Sequence, residues 1–406
     1  MRLAPLAILV TTLAGSWLLL SCGDSEPTTG EVAAREAAGF HRPDPERIPS
    51  RLATNPGTPW GDYLGSKACE RCHEEAYHQW RGSFHSRTLY AANDRTVIGD
   101  FSGETEHASP ESPFLVRPSS RVDAAGKRRY YMEIRPNPES NADLTIRGEE
   151  PAGLAKDPTF EVLYAFGNRQ HQPYVARRPG ERNWVLPVYW DDEQKRWRYD
   201  GFRPYVRSCA RCHVTGVRTQ RAEGRDDPRP LPFMSSTHYV PEPDDEGWAD
   251  GAVGCEMCHG PGREHVASVE RVGVEAYRKG LADGTKAPTI YDGNRASYKH
   301  QLDLCGQCHN FFTEDPVTWK PGPQGFSRDP LYEPLQLTPG NVGFQFYADG
   351  SDMSPCTVIK IYGKSKMGAE QIGCSKCHDP HGTDHWADLT LSVEDNALCI
   401  ACHEPY

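Results

Sequence analysis

The chain has 406 residues, 37% of them hydrophobic, and its mean hydropathy of -0.68 is low for a chain of this length. The formal net charge of -11 argues against a nucleic-acid partner, because phosphate binding requires a basic surface. Glycine and proline are abundant, with 37 and 34 residues, so long regular elements should be few. A weak apolar core needs another source of cohesion, and the fourteen cysteines suggest one.

The N-terminus is predicted to be a bacterial lipoprotein signal peptide. In residues 1–21 an arginine precedes a long apolar run, and the ending Leu-Leu-Ser-Cys has the form of a lipobox, which is cleaved before Cys22 and acylated on its thiol. An ordinary secretory signal with an incidental cysteine is the alternative. Residues 22–58 are rich in Pro, Glu, Ala and Thr, which predicts a flexible tether. We therefore expect a lipid-anchored, extracytoplasmic protein of the bacterial periplasm or outer membrane.

The remaining residues, 59–406, are predicted to form one domain with a β-containing insertion at residues 86–205. Strand-like alternation at 114–118 and 129–136 predicts two strands, and residues 183–200 predict a hairpin that turns near Asp191. Helices are predicted to be short, at about 69–81, 263–282 and 367–378. Most of the chain outside these segments is expected to be irregular.

Twelve of the fourteen cysteines occur in six copies of one motif, Cys-x-x-Cys-His. This motif is the attachment signature of c-type heme, in which two thiols bind one porphyrin and the histidine binds its iron as the proximal ligand. Two intervening residues let a single helical turn present both thiols and the imidazole to the same porphyrin. Six covalent hemes are therefore predicted, and the residues that bind them are Cys69, Cys72, His73, Cys209, Cys212, His213, Cys255, Cys258, His259, Cys305, Cys308, His309, Cys374, Cys377, His378, Cys399, Cys402 and His403.

Three other uses of paired cysteines fit the pattern less well. Structural zinc sites use paired CxxC units or spaced histidines, not a histidine directly after each pair. A thioredoxin-like redox site needs one motif on a βαβ unit. A disulfide framework suits an exported protein but leaves six histidines unexplained. The predicted fold is thus mostly irregular, with short α-helices wrapped around a stack of six covalently bound hemes and a small β-rich insertion between the first heme and the second.

Sixth ligands for the irons are sought among the ten histidines outside the motifs. His381 and His265 follow the proximal His378 and His259 by three and six residues. A segment this short does not pass around the porphyrin rim, so each is expected to bind the iron of a neighbouring heme. His85, His265 and His381 are the first-ranked distal ligands. The further candidates, for which propionate hydrogen bonding or simple exposure is the alternative, are His107, His171, His238 and His300.

The other histidines and two sulfur-containing residues have different assignments. His41 lies in the tether and is expected to be exposed, and His78 is expected to pack near its own heme. His385 is a reserve ligand. Met367 could bind an iron through its thioether, but we expect its side chain to be packed inside the protein instead. Cys356 is expected to be a free buried thiol, with an intermolecular bond as the alternative.

The segments YLGSKACERCHEEAYHQWRGSFHS, VGCEMCHGPGREH and YGKSKMGAEQIGCSKCHDPHG resemble multiheme c-type cytochromes related to the tetraheme cytochrome c of ammonia oxidisers and to the hydroxylamine oxidoreductase lineage. The resemblance covers residues from about 62 to 406. It implies parallel and near-perpendicular heme pairs, electron transfer outside the cytoplasm, and His85, His265 and His381 as cross-heme ligands. The chain departs from the catalytic members because it has six motifs rather than eight and no CxxCK variant.

The sequence predicts an electron carrier that passes single electrons between a donor and an acceptor protein through closely spaced, mainly bis-histidine hemes. The sixth motif lies close to the C-terminus, so one terminal heme is expected at the surface. The alternative is a multiheme reductase or oxidoreductase that acts on a small nitrogen or sulfur compound at a five-coordinate heme. A structural heme polymer is a third hypothesis, and the lipid anchor argues against it.

Overall fold

Most of the regular structure lies between the first and second CxxCH motifs, where eight strands form one antiparallel sheet. The structure is a computed structural model, and the described residues all belong to the compact unit His41–Tyr406. The predicted signal peptide and tether, with Cys22 and His41, lie outside the described residues, as does Cys356. The described residues are 63–104, 106–108, 112–140, 151, 153–167, 171–205, 209–216, 220–221, 238–239, 248–293, 296–306, 308–309 and 358–403.

The strands of the sheet follow one another by antiparallel pairing. Their bounds are β1 Tyr90–Ala91, β2 Phe114–Val122, β3 Arg128–Pro136, β4 Thr159–Ala165, β5 His171–Arg177, β6 Trp184–Asp191, β7 Arg196–Tyr199 and β8 Arg203–Pro204. Strands β2 to β7 are neighbours in chain order, while β1 pairs with β4 and β8 pairs with β6. A separate ladder joins β9, Gln220–Arg221, to β10, His238–Tyr239. The sheet is therefore built almost entirely from contacts between consecutive strands.

Both faces of the sheet are buried, which explains why β6 is almost continuously apolar. On this strand Trp184 and Leu186 belong to one core cluster, whereas Val185 between them belongs to another. Successive side chains of a strand point to opposite faces, so a single strand contributes to both clusters. The second cluster also contains Ala210, and Cys209 packs against it. This cluster therefore holds the sheet against the second CxxCH motif.

Short helices surround the other motifs. The α-helices are α1 Glu74–Gly82, α2 Arg211–His213, α3 Cys255–His259, α4 Arg263–Val272, α5 Val274–Ala282, α6 Tyr298–Gly306, α7 Val358–Lys364, α8 Lys366–Ala369 and α9 Ala397–Ile400. Single 3-10 turns occupy Ser66–Ala68, His85–Arg87, Cys374–Lys376 and Trp386–Asp388. Within the described part of the chain, no helix combines the length and the apolar character needed to cross a membrane.

The hairpin predicted for residues 183–200 is confirmed, since β6 pairs with β7 across a turn that begins at Asp191. The strands predicted at 114–118 and 129–136 are β2 and β3. Strands β4 and β5 were not predicted, and Pro173 in β5 is one reason, because proline normally marks a strand edge or a bulge. A register shift between Pro173 and Val175 accommodates it. The β-rich insertion is therefore an eight-stranded sheet rather than a small addition.

All three predicted helices differ from the structure. The helix expected over 69–81 begins only at Glu74, because His73 has non-helical backbone angles and the cysteines before it form turns. The helix expected over 263–282 is two helices, because Gly273 ends α4 with a φ of 82° that belongs to the left-handed region and restarts the chain as α5. The helix expected over 367–378 is wrong in extent. It is the single turn α8 followed, after a break, by the 3-10 turn that carries Cys374.

Replacing Phe160 with alanine is expected to destabilise the sheet by about 3–5 kcal/mol, because a fully buried phenylalanine leaves a cavity when it is truncated. Phe160 lies in the larger cluster and its ring contacts Phe202, at a centroid distance of 5.6 Å. Urea unfolding followed by far-UV circular dichroism measures the change. Val122→Ala is the control, since Val122 is 57% exposed at the end of β2. Equal midpoints for both variants would contradict the assignment of Phe160 to the core.

Candidate heme sites

Five of the six CxxCH motifs form a similar single turn. In four of them the backbone N–H of the histidine donates to the carbonyl oxygen of the first cysteine, at 2.9 Å for His73, His309 and His403 and 3.0 Å for His378. The third motif forms α3. One turn of this kind places both thiols and the imidazole beside each other, as thioether attachment to one porphyrin requires. None of the twelve motif cysteines forms a disulfide.

Backbone carbonyl groups fix the orientation of three motif histidines. Nδ1 of His213 lies 2.9 Å from the carbonyl oxygen of Thr88, and Nδ1 of His259 lies 2.8 Å from that of Tyr291. Nδ1 of His378 lies 2.9 Å from the carbonyl oxygen of Ala387. A carbonyl oxygen only accepts, so each Nδ1 is the protonated donor and each Nε2 is left with a free lone pair. This is the tautomer in which Nε2 binds a metal.

Three histidines from outside the motifs lie opposite motif histidines. The ring centroids of His73 and His265 are 6.4 Å apart with ring planes at 29°. The rings of His259 and His381 are 6.1 Å apart at 7°, and those of His85 and His309 are 6.4 Å apart at 73°. A metal ion held between two imidazoles lies roughly 2 Å from each ligating nitrogen, which separates the ring centroids by about 6 Å. The three pairs therefore fit an iron bound between them.

The opposing histidines are themselves held by contacts of their own, and two of them are buried enough to favour the neutral form. Nδ1 of His85 lies 3.2 Å from the carbonyl oxygen of Pro380, and Nδ1 of His265 lies 3.4 Å from Oγ1 of Thr289. Burial lowers the pKa of His265 and of His381 below its ordinary value. A neutral imidazole is the form that binds a metal, so burial favours the ligand state of both side chains.

The first and third motifs are joined directly. The side chain of Cys69 lies beside that of Cys255. The backbone N–H of Cys255 donates to Oγ of Ser66 at 3.0 Å, and the backbone N–H of Ser66 donates to Oδ2 of Asp250 at 2.9 Å. These contacts bring together two segments that are far apart in the sequence. They also account for the approach of His265, which follows the third motif, to His73 in the first.

Glu256, inside the third motif, is a buried carboxylate that accepts backbone hydrogen bonds from two segments. Leu64 N–H donates to it at 2.9 Å and Gly65 N–H at 2.7 Å, both just before the first motif. Gly262 N–H donates at 2.7 Å from the start of α4. Burial raises the pKa of Glu256, and the three N–H groups oppose that rise. One side chain therefore fixes the turn that follows the third motif and the entry to the first.

The loop after the fifth motif packs closely on the end of α1. Gly382 has a φ of 107°, and a Cβ added there would lie 2.8 Å from the Cβ of Ser83. The carboxylate of Asp388 accepts from the backbone N–H of Phe84 at 2.9 Å. Only glycine allows this approach, and the bond to Phe84 fixes the residue beside it, His85. The loop that orients His378 thus also positions a histidine that faces His309.

The fourth and fifth motifs also meet directly. The side chain of Cys305 lies beside that of Cys374. Oε1 of Gln301, on α6, accepts from the backbone N–H of Ser375 at 3.1 Å. An added Cβ at Gly373 would lie 2.4 Å from the same oxygen atom, so the fifth motif begins in direct contact with α6. The fourth and fifth motifs are therefore in direct contact, as the first and third motifs are, although the latter two lie much farther apart in the sequence.

Two protein families match parts of the chain. One is described as cytochrome c554 and c-prime and matches residues 68–109, which contain the first motif and His85. The other is described as a doubled CXXCH motif and matches residues 367–406, which contain the last two. The chain is a multiheme c-type cytochrome. Covalent c-type heme is therefore its cofactor. No curated protein matches it significantly.

Two solved structures are similar to the cytochrome. The outer cell wall cytochrome OcwA is 16% identical, with 84% of this chain and 67% of that chain covered and a TM-score of 0.46. An undecaheme cytochrome from the S-layer of Carboxydothermus ferrireducens is 17% identical, with 88% and 44% covered and a TM-score of 0.36. Both TM-scores lie below 0.5, so neither likeness assigns a fold or a function to this chain. The cytochrome spans less than half of the second structure.

Other predicted ligands of the cytochrome lie apart from these pairs. His171 is exposed at the start of β5, with its ring 5.1 Å from that of Tyr189. His300 lies half-buried on α6, and no ring of a motif histidine contacts it in the described part of the chain. His238 lies in β10, and its side chain falls outside the described residues. His107 pairs with β2 through its backbone. Their assignment as ligands stays a prediction.

Three further side chains are exposed at the surface of the cytochrome. His78 is 54% exposed, with Nε2 3.7 Å from Oε1 of Glu70. His385 is exposed in the loop after the fifth motif. The expectation that Met367 is packed is wrong, because its side chain is 46% exposed at the start of α8. None of these residues lies opposite a motif histidine among the described residues.

The groups that orient the histidines of the cytochrome were not predicted from its sequence. The carbonyl oxygens of Thr88, Tyr291 and Ala387 belong to every residue type, so no sequence signal distinguishes them. Glu256 occupies a variable position of a CxxCH motif, where a glutamate normally reads as a solvated charge. The sequence feature that came nearest to indicating the role of Glu256 is Gly-Pro-Gly after His259. This string predicts a tight turn, and the free backbone N–H groups of such a turn need a hydrogen-bond acceptor.

Proposed function

We propose that this cytochrome carries six covalent hemes, one on each CxxCH motif, and relays single electrons between extracytoplasmic redox partners through mainly bis-histidine irons. The observation that carries the proposal is the set of three imidazole pairs with centroids 6.1 to 6.4 Å apart. Each pair joins a motif histidine to a histidine from another part of the chain. Three separate pairs at the spacing of a shared metal ion are what distal ligation predicts.

The residues of each site have distinct roles. The two cysteines hold the porphyrin and the motif histidine binds the iron from one side, and the bound heme supplies a centre that takes up and releases one electron. The anchored Nδ1 atoms keep the imidazole rings in place, so little rearrangement accompanies a change of charge. Two histidine ligands give a lower reduction potential than a histidine and a methionine. The distal ligands are His265 for the iron of His73, His381 for that of His259 and His85 for that of His309.

Contacts between the motifs support a continuous relay. Hydrogen bonds join the first motif to the third through Ser66, and the fourth to the fifth through Gln301. The opposing histidines also link the first motif with the third and fourth, and the third with the fifth. The backbone N–H of Thr390 donates to the carbonyl oxygen of Cys377 at 2.8 Å and that of Leu398 to the carbonyl oxygen of Ser392 at 3.0 Å, so the segment between the fifth and sixth motifs folds against both ends. The second motif touches the segment after His85 through Thr88.

Export and lipid anchoring belong to the same proposal and are supported by residues 1–58. The lipobox ending at Cys22 predicts acylation, and the tether separates the heme domain from the lipid headgroups. Thioether attachment of heme outside the cytoplasm is what the resemblance to c-type cytochromes implies. Donor and acceptor proteins would then meet the cytochrome at the membrane surface.

The heme content and spin state of the purified, oxidised protein test the proposal. Pyridine hemochrome absorbance and intact mass should give six hemes per chain. Electron paramagnetic resonance should be dominated by low-spin iron. The pair at 73° should give a more anisotropic low-spin signal than the pairs at 7° and 29°, because perpendicular imidazole planes leave two iron d orbitals nearly equal in energy.

Two results would contradict this reading. A heme count other than six would contradict the assignment of one heme to each motif. A high-spin iron that binds nitrite or hydroxylamine would favour the alternative function, a reductase or oxidoreductase with a five-coordinate heme. The heme count tests the assignment of one heme to each motif, whereas the spin state tests the relay function. Both can be measured on the same sample.

A further inference from the structure

Thr88 lies outside the CxxCH motifs and is joined to the histidine of the second motif by two hydrogen bonds. The Nδ1–H of His213 donates to the backbone carbonyl oxygen of Thr88 at 2.9 Å. In the other direction, Oγ1 of Thr88 donates to the carbonyl oxygen of His213, also at 2.9 Å. The two bonds close a ring between these residues, so the hydroxyl group of Thr88 holds in place the carbonyl group that orients the imidazole.

The same hydroxyl group contacts the backbone of His85, the histidine that faces His309. Oγ1 of Thr88 lies 3.1 Å from the carbonyl oxygen of His85, so its one proton is shared between two acceptors. The backbone N–H of Val253, just before the third motif, donates to Oγ1 of Thr88 at 3.1 Å and to the carbonyl oxygen of His85 at 3.2 Å. One hydroxyl group therefore ties residues 85–88 to the second and third motifs.

The neighbours of Thr88 leave this segment little freedom to move. Ser86 is 2% exposed, and its Oγ donates to the carbonyl oxygen of Arg81 near the end of α1 at 3.0 Å. Leu89 is fully buried in the cluster that holds the sheet against the second motif. Closely packed segments transmit a local change to their contacts, so a change at the hydroxyl group reaches both histidines.

We propose that Thr88 is a shared positioning residue whose hydroxyl group sets the orientation of the ligands at two irons. These ligands are the proximal His213 and His85, the distal ligand of the iron at His309. The inference rests on the proposed function, because both histidines must bind iron. A firm Nδ1–H bond makes an imidazole a more basic ligand, which favours the oxidised iron. Thr88 thereby links the properties of the second and fourth heme sites, which lie far apart in the sequence.

Thr88→Val in the heme-loaded, full-length cytochrome tests this role, because valine keeps the shape of threonine and removes the hydroxyl group. Electron paramagnetic resonance of the oxidised protein should show altered signals from two irons, with the other signals unchanged. One of the two is the iron of His309, identified as the low-spin signal that is lost in His85→Ala. In a spectroelectrochemical titration, the reduction equilibrium constant of the iron of His213 should rise about threefold, because the carbonyl group that orients its imidazole is less firmly held.

Two control variants separate positioning from a general loss of stability. Thr88→Ser keeps the hydroxyl group and should restore both signals of the parent protein. Thr96→Val removes another threonine hydroxyl group, which belongs to a buried residue and donates to the carbonyl oxygen of Ala91 at 2.6 Å. It should lower the midpoint of urea unfolding without altering the signal of any iron, since Thr96 does not bond a histidine among the described residues.

The outcomes separate this inference from the proposed function. A heme count other than six in the parent protein contradicts the proposed function but not the role of Thr88, which needs iron only at His213 and His309. If Thr88→Val leaves every signal unchanged, or alters only one of the two irons, the shared role of Thr88 is overturned while the relay is retained. The same spectral change in Thr88→Ser or Thr96→Val would reduce Thr88 to a contribution to stability and would overturn the inference as well.

Discussion

Replacing His265 with alanine is expected to convert one iron of the cytochrome from low-spin to high-spin. The ring of His265 lies 6.4 Å from that of His73, and alanine leaves nothing to bind the iron from that side. The other proximal histidines keep their opposing partners, so the low-spin signals of the remaining irons should persist. Electron paramagnetic resonance and the charge-transfer region of the absorption spectrum measure the change, and the reduction potential of that iron should rise.

His78→Ala is the matched control for this variant. His78 lies nearer to His73 in the sequence than His265 does, but its side chain is 54% exposed and pairs weakly with Glu70. It should leave every iron low-spin. A His265→Ala protein with an unchanged spectrum would remove His265 from the ligand set. The same change of spin state in both variants would point to a general loss of structure around the first motif.

Replacing Glu256 with alanine is expected to cost at least about 3 kcal/mol of stability, because it leaves three backbone N–H donors without their acceptor and each buried orphan costs about 1–3 kcal/mol. These donors are Leu64, Gly65 and Gly262. The variant should also loosen the contact between the first and third motifs. We therefore expect partial high-spin character at the iron of His73, together with a lower midpoint in urea unfolding.

The control for this prediction is Glu275→Ala, which removes an exposed carboxylate from the first turn of α5. Surface changes of this kind usually shift stability by less than about 0.5 kcal/mol. Glu256→Gln keeps one acceptor oxygen but adds an NH2 group that faces N–H donors, so it should fall between the parent protein and Glu256→Ala. If the two alanine variants unfold at the same urea concentration, Glu256 does not hold the two motifs together.

Local patterns in the sequence were sufficient for the attachment chemistry. Both thiols and the imidazole of a heme site lie within five consecutive residues, so spacing alone identifies them. The hairpin at β6 and β7 was predicted for the same reason, since alternation and a turn are short-range features. Strand β5 was missed because Pro173 argues locally against a strand, and only its neighbours and the register shift beside it make the strand possible.

The sequence predicted only in part which histidines lie opposite the motif histidines. The short distance from His259 to His265 excluded attachment to the same heme, but it did not say which other motif His265 would face. The structure brings it to the first motif because Glu256 and Asp250 hold residues 64–66 against the third. Such contacts join residues more than 180 positions apart, and no local pattern encodes them.

The sequence by itself determined the covalent chemistry of this protein: six attachment motifs, a multiheme c-type cytochrome and a surplus of candidate ligands. The tertiary structure alone decided which imidazoles meet, which motifs lie side by side and which carbonyl oxygens orient the rings. The physical reason is the range of the interactions. Attachment depends on groups a few bonds apart, whereas an imidazole pair 6.1 Å apart depends on buried hydrogen bonds and close backbone packing between distant segments.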